Sequence, residues 1–160
     1  MSLKEYAKKR NLKKSGEPIG KIKKTKVLKG KLSEENRRLS RFVVHEHHAS
    51  HLHWDLRLEM QGVLKSWAVP KQPPEAKGIK RLAMQVEDHP LAYARFHGVI
   101  PEGNYGAGKV VIWDNGKYSL IEKTPTKIVF ELSGKKLKGR YCLIKTSYGG
   151  RKNGWLFMKI

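Results

Sequence analysis

Between His45 and His53 the chain places five of its seven histidines within nine residues. The run continues as His51-Leu-His53-Trp-Asp55-Leu-Arg57-Leu-Glu59. Polar and apolar residues alternate strictly, the pattern of a half-buried strand. Alternate residues of a strand share a face. His51, His53, Asp55, Arg57 and Glu59 are therefore expected to point one way, and Leu52, Trp54, Leu56, Leu58 and Met60 the other, into a core. His53 and Asp55 are neighbours on the polar face, and His47, just upstream, adds a second imidazole. Two imidazoles and one carboxylate leave coordination positions open for water and a substrate oxygen, as a catalytic metal requires. Mixed nitrogen and oxygen ligation without thiols suits Mn²⁺, Fe²⁺, Co²⁺ or Zn²⁺ and argues against a structural cysteine-type zinc site. Arg57 follows on the same face with a planar fork that can bind two phosphate oxygens. A histidine-rich exposed strand that takes up metal adventitiously has the same spacing, so spacing alone leaves both readings open.

Two further clusters carry polar chemistry. In Glu87-Asp88-His89-Pro90-Leu-Ala-Tyr93, a histidine before proline is held in a turn. His89 is a candidate acid/base or phosphate ligand and Tyr93 a candidate phosphate donor, while a turn-capping aspartate beside an incidental histidine explains the same residues. The segment from Gly98 to Gly108 has four glycines in eleven residues. It lacks the Gly-Lys-Ser/Thr of a P-loop and reads as a barrel-shaping turn.

These residues need a scaffold, and the rest of the sequence describes one. The 160 residues suit one packed domain, with 39% apolar residues. No apolar run reaches the roughly 20 residues of a membrane span. Met1 to Lys14 is basic without an apolar core, unlike a secretory signal. An intracellular, cytoplasmic protein follows as the expectation, with no membrane partner. The single Cys142 lies in an apolar run and reads as a buried structural thiol. The 34 Lys and Arg against 14 acids give a net charge of +20. Residues 1–40 hold 14 basic and 4 acidic side chains, and from Leu132 onward there are 8 basic and none acidic. Such a field attracts polyanions, nucleic acids foremost.

Ser2-Leu-Lys-Glu5 has capping-box spacing and predicts a short helix over about 3–11. Residues 13–31 read as a basic connector and Ser33–Asn36 as a further helical turn. The predicted strands are Arg41–His45, Leu52–Met60, Val63–Val69, Lys80–Val86, Ala92–Val99, Lys109–Trp113, Lys117–Glu122, Ile128–Leu132, Gly139–Lys145 and Trp155–Ile160. Asn115-Gly116 is expected to turn a hairpin between the sixth and seventh of these. Many short strands joined by Gly, Pro and Asn, with no long 3.6-residue period, predict a mainly β fold. That fold is a small closed or nearly closed barrel of about eight strands, residues 41–160, preceded by a basic N-terminal helix and connector, residues 1–40.

Four stretches taken in order are far more specific than any one. They are His47-His-Ala-Ser-His-Leu-His-Trp-Asp-Leu-Arg-Leu-Glu59, Gly62-Val-Leu-Lys-Ser-Trp-Ala-Val-Pro-Lys71, Glu87-Asp-His-Pro-Leu-Ala-Tyr93 and Gly98-Val-Ile-Pro-Glu-Gly-Asn-Tyr-Gly106. Together with Gly154-Trp-Leu-Phe-Met-Lys159 they resemble the 3′-phosphoesterase domain of DNA ligase D and its stand-alone bacterial and archaeal relatives. The resemblance runs from about Phe42 to the C-terminus and is weaker over the first 20 residues. It implies a compact β-barrel and a manganese-dependent enzyme, with Co²⁺ or Zn²⁺ as other metals. It also implies two steps at a primer 3′ end. A terminal ribonucleoside is removed to leave a 3′-phosphate, which is then removed to leave a 3′-hydroxyl. By motif match His47, His53 and Asp55 are the implied metal ligands, and Arg57 and His89 hold the scissile phosphate. Lys71, Arg81 and Tyr93 are implied as further active-site residues. Arg10 and Glu17 resemble an arginine and a glutamate that serve the first step. Asn11 stands where an aspartate is usual, His45 where a glutamine is common, and His48 and His51 where Asp and Arg are. The implied partners are DNA or RNA-containing primer-template 3′ ends, with a DNA ligase and end-joining proteins acting in trans, and the protein is expected to be a monomer. Two rival readings are a non-catalytic nucleic-acid-binding module that retains a metal, and a hydrolase of small phosphate esters.

Overall fold

The computed structural model describes residues 2–19, 39–147 and 150–160. Ser2 accepts a hydrogen bond from the Glu5 amide at 3.4 Å and caps α1, Leu3–Lys8. The helix is shorter than its capping pattern suggested, because the chain turns at Arg10 and starts α2, Leu12–Ser15, which Gly16 ends at φ 72°. Most of the predicted connector and the Ser33–Asn36 turn lie outside the described residues.

The strands are β1 Ser40–His48, β2 Leu52–Met60, β3 Val63–Val69, β4 Lys80–His89, β5 Gly98–Ile100, β6 Gly108–Lys123, β7 Lys127–Ser133, β8 Lys138–Lys145 and β9 Gly154–Lys159. Every ladder is antiparallel, and the order β1-β2-β3-β4-β9-β8-β7-β6 closes through β1–β6 pairing. The result is an eight-stranded barrel, with β5 attached outside it on β6. Its interior is filled by Leu56, Leu58, Trp67, Phe130, Tyr141 and Phe157 with their neighbours. Of the β2 residues expected there, Leu56, Leu58 and Met60 are buried and Trp54 packs partly, while Leu52 at the strand's start is exposed. Cys142 is buried as expected.

Two predicted elements differ. Asn115-Gly116 does not turn a hairpin, because β6 runs unbroken through it. Asp114 accepts the amides of Asn115, Lys135, Lys136 and Leu137 at 2.8–3.1 Å, clamping the β7–β8 turn. Gly116 is needed for close approach rather than for a turn: a Cβ there would overlap the Ser133 carbonyl oxygen. Gly116→Ala is therefore expected to cost about 1–3 kcal/mol through overpacking, read as a lower urea midpoint at unchanged slope. The predicted strand Ala92–Val99 is instead a 3-10 helix, Leu91–Arg95, followed by β5. Pro90 sets the turn, whose amides at Tyr93 and Phe96 bond back to Pro90 and Tyr93.

The outer face of the barrel over β1–β3 is not left to solvent. Tyr6 of α1 packs with Val43, Leu64, Tyr93 and Ala94, and Leu12, Leu91, Phe96 and Ile112 join them. This second apolar cluster roofs the outer sheet face. The polar side chains of β2 lie beneath and beside it. Among the described residues, no helix is long and apolar enough to cross a membrane.

Candidate active site

Antiparallel register decides what the histidine run can do. His47 lies directly opposite His53, His45 opposite Asp55 and Val43 opposite Arg57. Cross-strand partners share a face, so two strands of one hairpin deliver His45, His47, His53, Asp55 and Arg57 to one patch of the outer sheet. His48 and His51 do not join it: both are exposed, His51 lies before β2 begins, and His48 pairs with Glu46 at 3.2 Å.

His47, His53 and Asp55 bring one donor atom each to within 4.8 Å of one another. Asp55 Oδ2 is 3.2 Å from His53 Nε2 and 3.6 Å from His47 Nδ1. Donors about 2.1 Å from one ion, in tetrahedral or octahedral arrangement, stand roughly 3.0–3.5 Å apart, so the two spacings from Asp55 suit a shared divalent metal. The remaining ring nitrogens are already committed. His47 Nε2 donates to the Gly106 carbonyl at 2.6 Å, and His53 Nδ1 donates to the His51 carbonyl at 3.1 Å. Each contact fixes the tautomer and turns the free lone pair towards Asp55, as metal-ligating histidines require. Gly106, at φ 73°, lets the glycine-rich loop approach this closely.

Burial by itself would raise the Asp55 carboxyl, but Arg57, His47 and His53 overcome it and hold it well below the usual range. Burial would lower His53, and its contacts with Asp55 raise it instead.

Arg57 is buried and held on every side. Its Nε donates to His45 Nδ1 at 3.1 Å and its Nη1 to Ser66 Oγ at 2.9 Å. Nη2 stands 3.4 Å from Asp55 Oδ2, and the guanidinium lies 4.8 Å over the Tyr93 ring. His45 can accept from Arg57 because its own Nε2 donates to the Phe96 carbonyl at 2.9 Å. Burial, with Arg57 beside it, pushes His45 down to about 3, so the ring is the neutral acceptor that Arg57 needs. Glutamine offers the same acceptor and donor pair. His45→Gln is expected to keep the stability of the fold, while His45→Leu lowers it by about 1.5–3 kcal/mol through loss of a hydrogen bond to a charged group. Urea unfolding of the two variants checks this.

The N-terminal segment completes the site across more than seventy positions of sequence. Arg10 Nη1 donates to Glu87 Oε1 at 2.8 Å, Lys9 Nζ to Glu87 Oε2 at 2.9 Å, and Arg10 Nε to Glu17 Oε2 at 2.9 Å. The Tyr93 hydroxyl donates to the same Glu17 oxygen at 2.8 Å. Arg10 Nη2 lies 3.3 Å from His89 Nε2, and His89 Nδ1 donates to the Glu87 carbonyl at 3.0 Å. His89 is buried beside Arg57 and Arg10, and burial and then the two guanidiniums hold it well below its ordinary value. It is a neutral imidazole with its Nε2 lone pair on the Arg10 side.

A cavity of about 310 Å³ joins the metal triad to Arg10, Glu17, Arg57, His89 and Tyr93. Eight of the ten residues expected in the site are thus brought together. Lys71 and Arg81 are not in its lining. Lys71 is exposed beyond β3. Arg81 pairs in register with the core residue Phe157, which puts it on the barrel-inward face, and its Nε bonds the Gln72 carbonyl. Ser66 and Glu87 carry no signal of their roles in the sequence, and His45 stands out there only as a departure from the resembled pattern. Parity with His47 was the available signal for His45. Ser66 is found only through its register opposite Arg57.

With this geometry in place, known proteins resemble the chain in a consistent way. The profile of the DNA ligase D 3′-phosphoesterase domain matches residues 45–145. The multifunctional non-homologous end joining protein LigD of Pseudomonas aeruginosa is 44% identical over 162 residues, covering 98% of this chain. The Mycolicibacterium smegmatis protein of the same name is 50% identical over 117 residues, and the Mycobacterium tuberculosis end joining DNA repair protein LigD 49% over 110, each covering 66% of this chain. The chain spans 14–18% of the length of these relatives. The match encloses all three candidate metal ligands, Arg57 and His89, and by it the chain belongs to the DNA ligase D 3′-phosphoesterase domain family.

Proposed function

We propose that the protein is a manganese-dependent phosphoesterase of nucleic-acid 3′ ends. It removes a terminal ribonucleoside and then the 3′-phosphate, leaving a 3′-hydroxyl for repair and ligation. The observation that carries this reading is the sharing of Asp55 between the metal triad and Arg57. One carboxylate ties a metal-ligand set to a phosphate-binding guanidinium in a single cavity.

His47, His53 and Asp55 would hold the ion, which when bound supplies Lewis acidity and an activated water. Arg57 binds phosphoryl oxygens with the guanidinium hydrogens that His45 and Ser66 leave free, and it stabilises charge as the bond to the leaving oxygen breaks. Arg10 adds a second guanidinium on the far side of His89. A phosphate lodged between them counters the two positive charges that, together with burial, keep His89 neutral. His89 Nε2 can then hold a proton and pass it to the departing alkoxide oxygen, the nucleoside 5′-oxygen in the first step and the primer 3′-oxygen in the second. Tyr93 and Glu17 orient Arg10, and the roof of α1 and the 3-10 helix excludes water.

Lys71, exposed and off the cavity, is assigned to the strand away from the terminus, where the basic surface holds the backbone. Residues 2–19 then act as an arm on the barrel domain, residues 41–160. A ligase working in trans, a monomeric state and a nucleoid-associated cytoplasmic location complete the reading. A 5′-labelled primer-template ending in one ribonucleotide tests it. With Mn²⁺, a shortened 3′-phosphate product should appear first and a 3′-hydroxyl product second. If the primer is not shortened and a 3′-phosphate end is not dephosphorylated, the reading fails.

A further inference from the structure

The loop from Gly98 to Gly108 does more than shape the barrel. Its Gly106 carbonyl anchors His47, and the residue before it, Tyr105, lines the same cavity. Tyr105 is nevertheless 50% exposed and belongs to neither apolar cluster. A large aromatic ring at the mouth of a polar cavity, unneeded by the core, is a candidate contact for a ligand. Lys9 Nζ and the Arg10 guanidinium each stand 5.2 Å from its centroid, so the ring sits beside two cations, of which Arg10 also lines the cavity.

Size decides which part of a ligand reaches it. The cavity, about 310 Å³, lies at the small end of the roughly 300–1,000 Å³ typical of small-molecule sites. A phosphate and its sugar fill such a space, and an attached base is left at the mouth. Every nucleobase has a π-face, and stacking on an aromatic side chain tolerates any sequence.

We propose that Tyr105 is a stacking platform for the terminal nucleobase of the bound strand, which makes the loop a nucleobase subsite next to the phosphate site. The proposal rests on the end-processing function above and adds the group that seats the terminal nucleotide.

The test uses 3′-phosphate primers whose terminal base is 2-aminopurine, with Tyr105→Phe and Tyr105→Ala beside the wild type. Binding of metal-free wild type and Tyr105→Phe should quench the terminal fluorescence, and Tyr105→Ala should bind without that quenching. With Mn²⁺, Tyr105→Ala should raise KM for a base-bearing primer by roughly 5- to 150-fold. An abasic terminal nucleotide should erase the difference between wild type and Tyr105→Ala. Equal quenching by wild type and Tyr105→Ala overturns the proposal, as does an equal loss on base-bearing and abasic primers, which would mark a structural role for the loop. The fluorescence arm needs no turnover, so an inactive wild type counts against the phosphoesterase reading and unchanged quenching against the stacking alone.

Discussion

Asp55→Ala is expected to lower Mn²⁺-dependent release of phosphate from a 3′-phosphate primer by about 10³-fold or more. A bound metal contributes several kcal/mol to transition-state charge stabilisation, and each 1.36 kcal/mol is tenfold in rate. Asp55 supplies the one carboxylate of the ligand set and is buried against His47, His53 and Arg57. Its removal also leaves buried cationic groups without their shared acceptor, a change that costs about 3–5 kcal/mol where a buried pair is broken. Asp55→Asn keeps the shape, and it separates metal loss from unfolding. At 100 times its Kd, Mn²⁺ should stabilise the wild type by about 2.7 kcal/mol, and thermal unfolding of Asp55→Asn should show little of this shift.

The pH dependence of the metal-free protein follows from the same pair. The folded value of His53 is raised above its ordinary 6.5, so its contribution is full below 6.5 and is lost as pH rises through the raised value. The folded value of Asp55 is lowered below its ordinary 3.8, so its contribution is present above 3.8 and is lost as pH falls through the lowered value. Stability from the pair therefore covers the window from about 3.8 to above 6.5. Metal binding needs neutral imidazoles and strengthens with pH across its upper edge. Thermal scans with and without Mn²⁺ from pH 5 to 8 should show the metal-induced shift growing while the metal-free stability from this pair declines.

Arg57→Lys is the second large expected effect, a loss of about 10²–10³ in kcat, the scale for removing one preorganised donor aimed at developing charge. Lysine keeps the charge but not the geometry. A single ammonium cannot donate to His45 and Ser66, lie beside Asp55 and over Tyr93, and still present a two-pronged face to phosphate. The loss should fall on kcat more than on KM. Metal binding by Arg57→Lys should persist, because none of the three ligands is touched. Mn²⁺-induced thermal stabilisation checks that point, and primer kinetics checks the first. A Lys variant with wild-type kcat would mean that charge alone suffices there.

Much of this protein is legible in its sequence. The period-two alternation from His51 to Met60 carries both the core face of β2 and the adjacency of His53, Asp55 and Arg57. Strand pleating makes that a local property, and it needs no knowledge of the fold. Short apolar runs broken by Gly, Pro and Asn likewise identify the barrel class. The net charge of +20 leads to the expectation of a polyanionic partner. The quoted motifs identify the family, and its profile matches this chain.

What local pattern does not contain is register and closure. Asn115-Gly116 has hairpin chemistry, yet the β7–β8 turn docking on Asp114 holds it in a continuous strand. Nothing in the spacing of Ser66 shows that it will face Arg57, or that His45 will be the acceptor that holds that guanidinium. Arg10 and Glu17 reach His89 and Tyr93 only because Tyr6 seats the N-terminal segment on the outer sheet face. The alternation of side chains by itself determined which residues could be ligands. The pairing of strands and the roof over them decided which became a site, because register is set by pairing and not by local pattern, and Arg10 meets His89 and Glu17 meets Tyr93 across long stretches of sequence only in the folded chain.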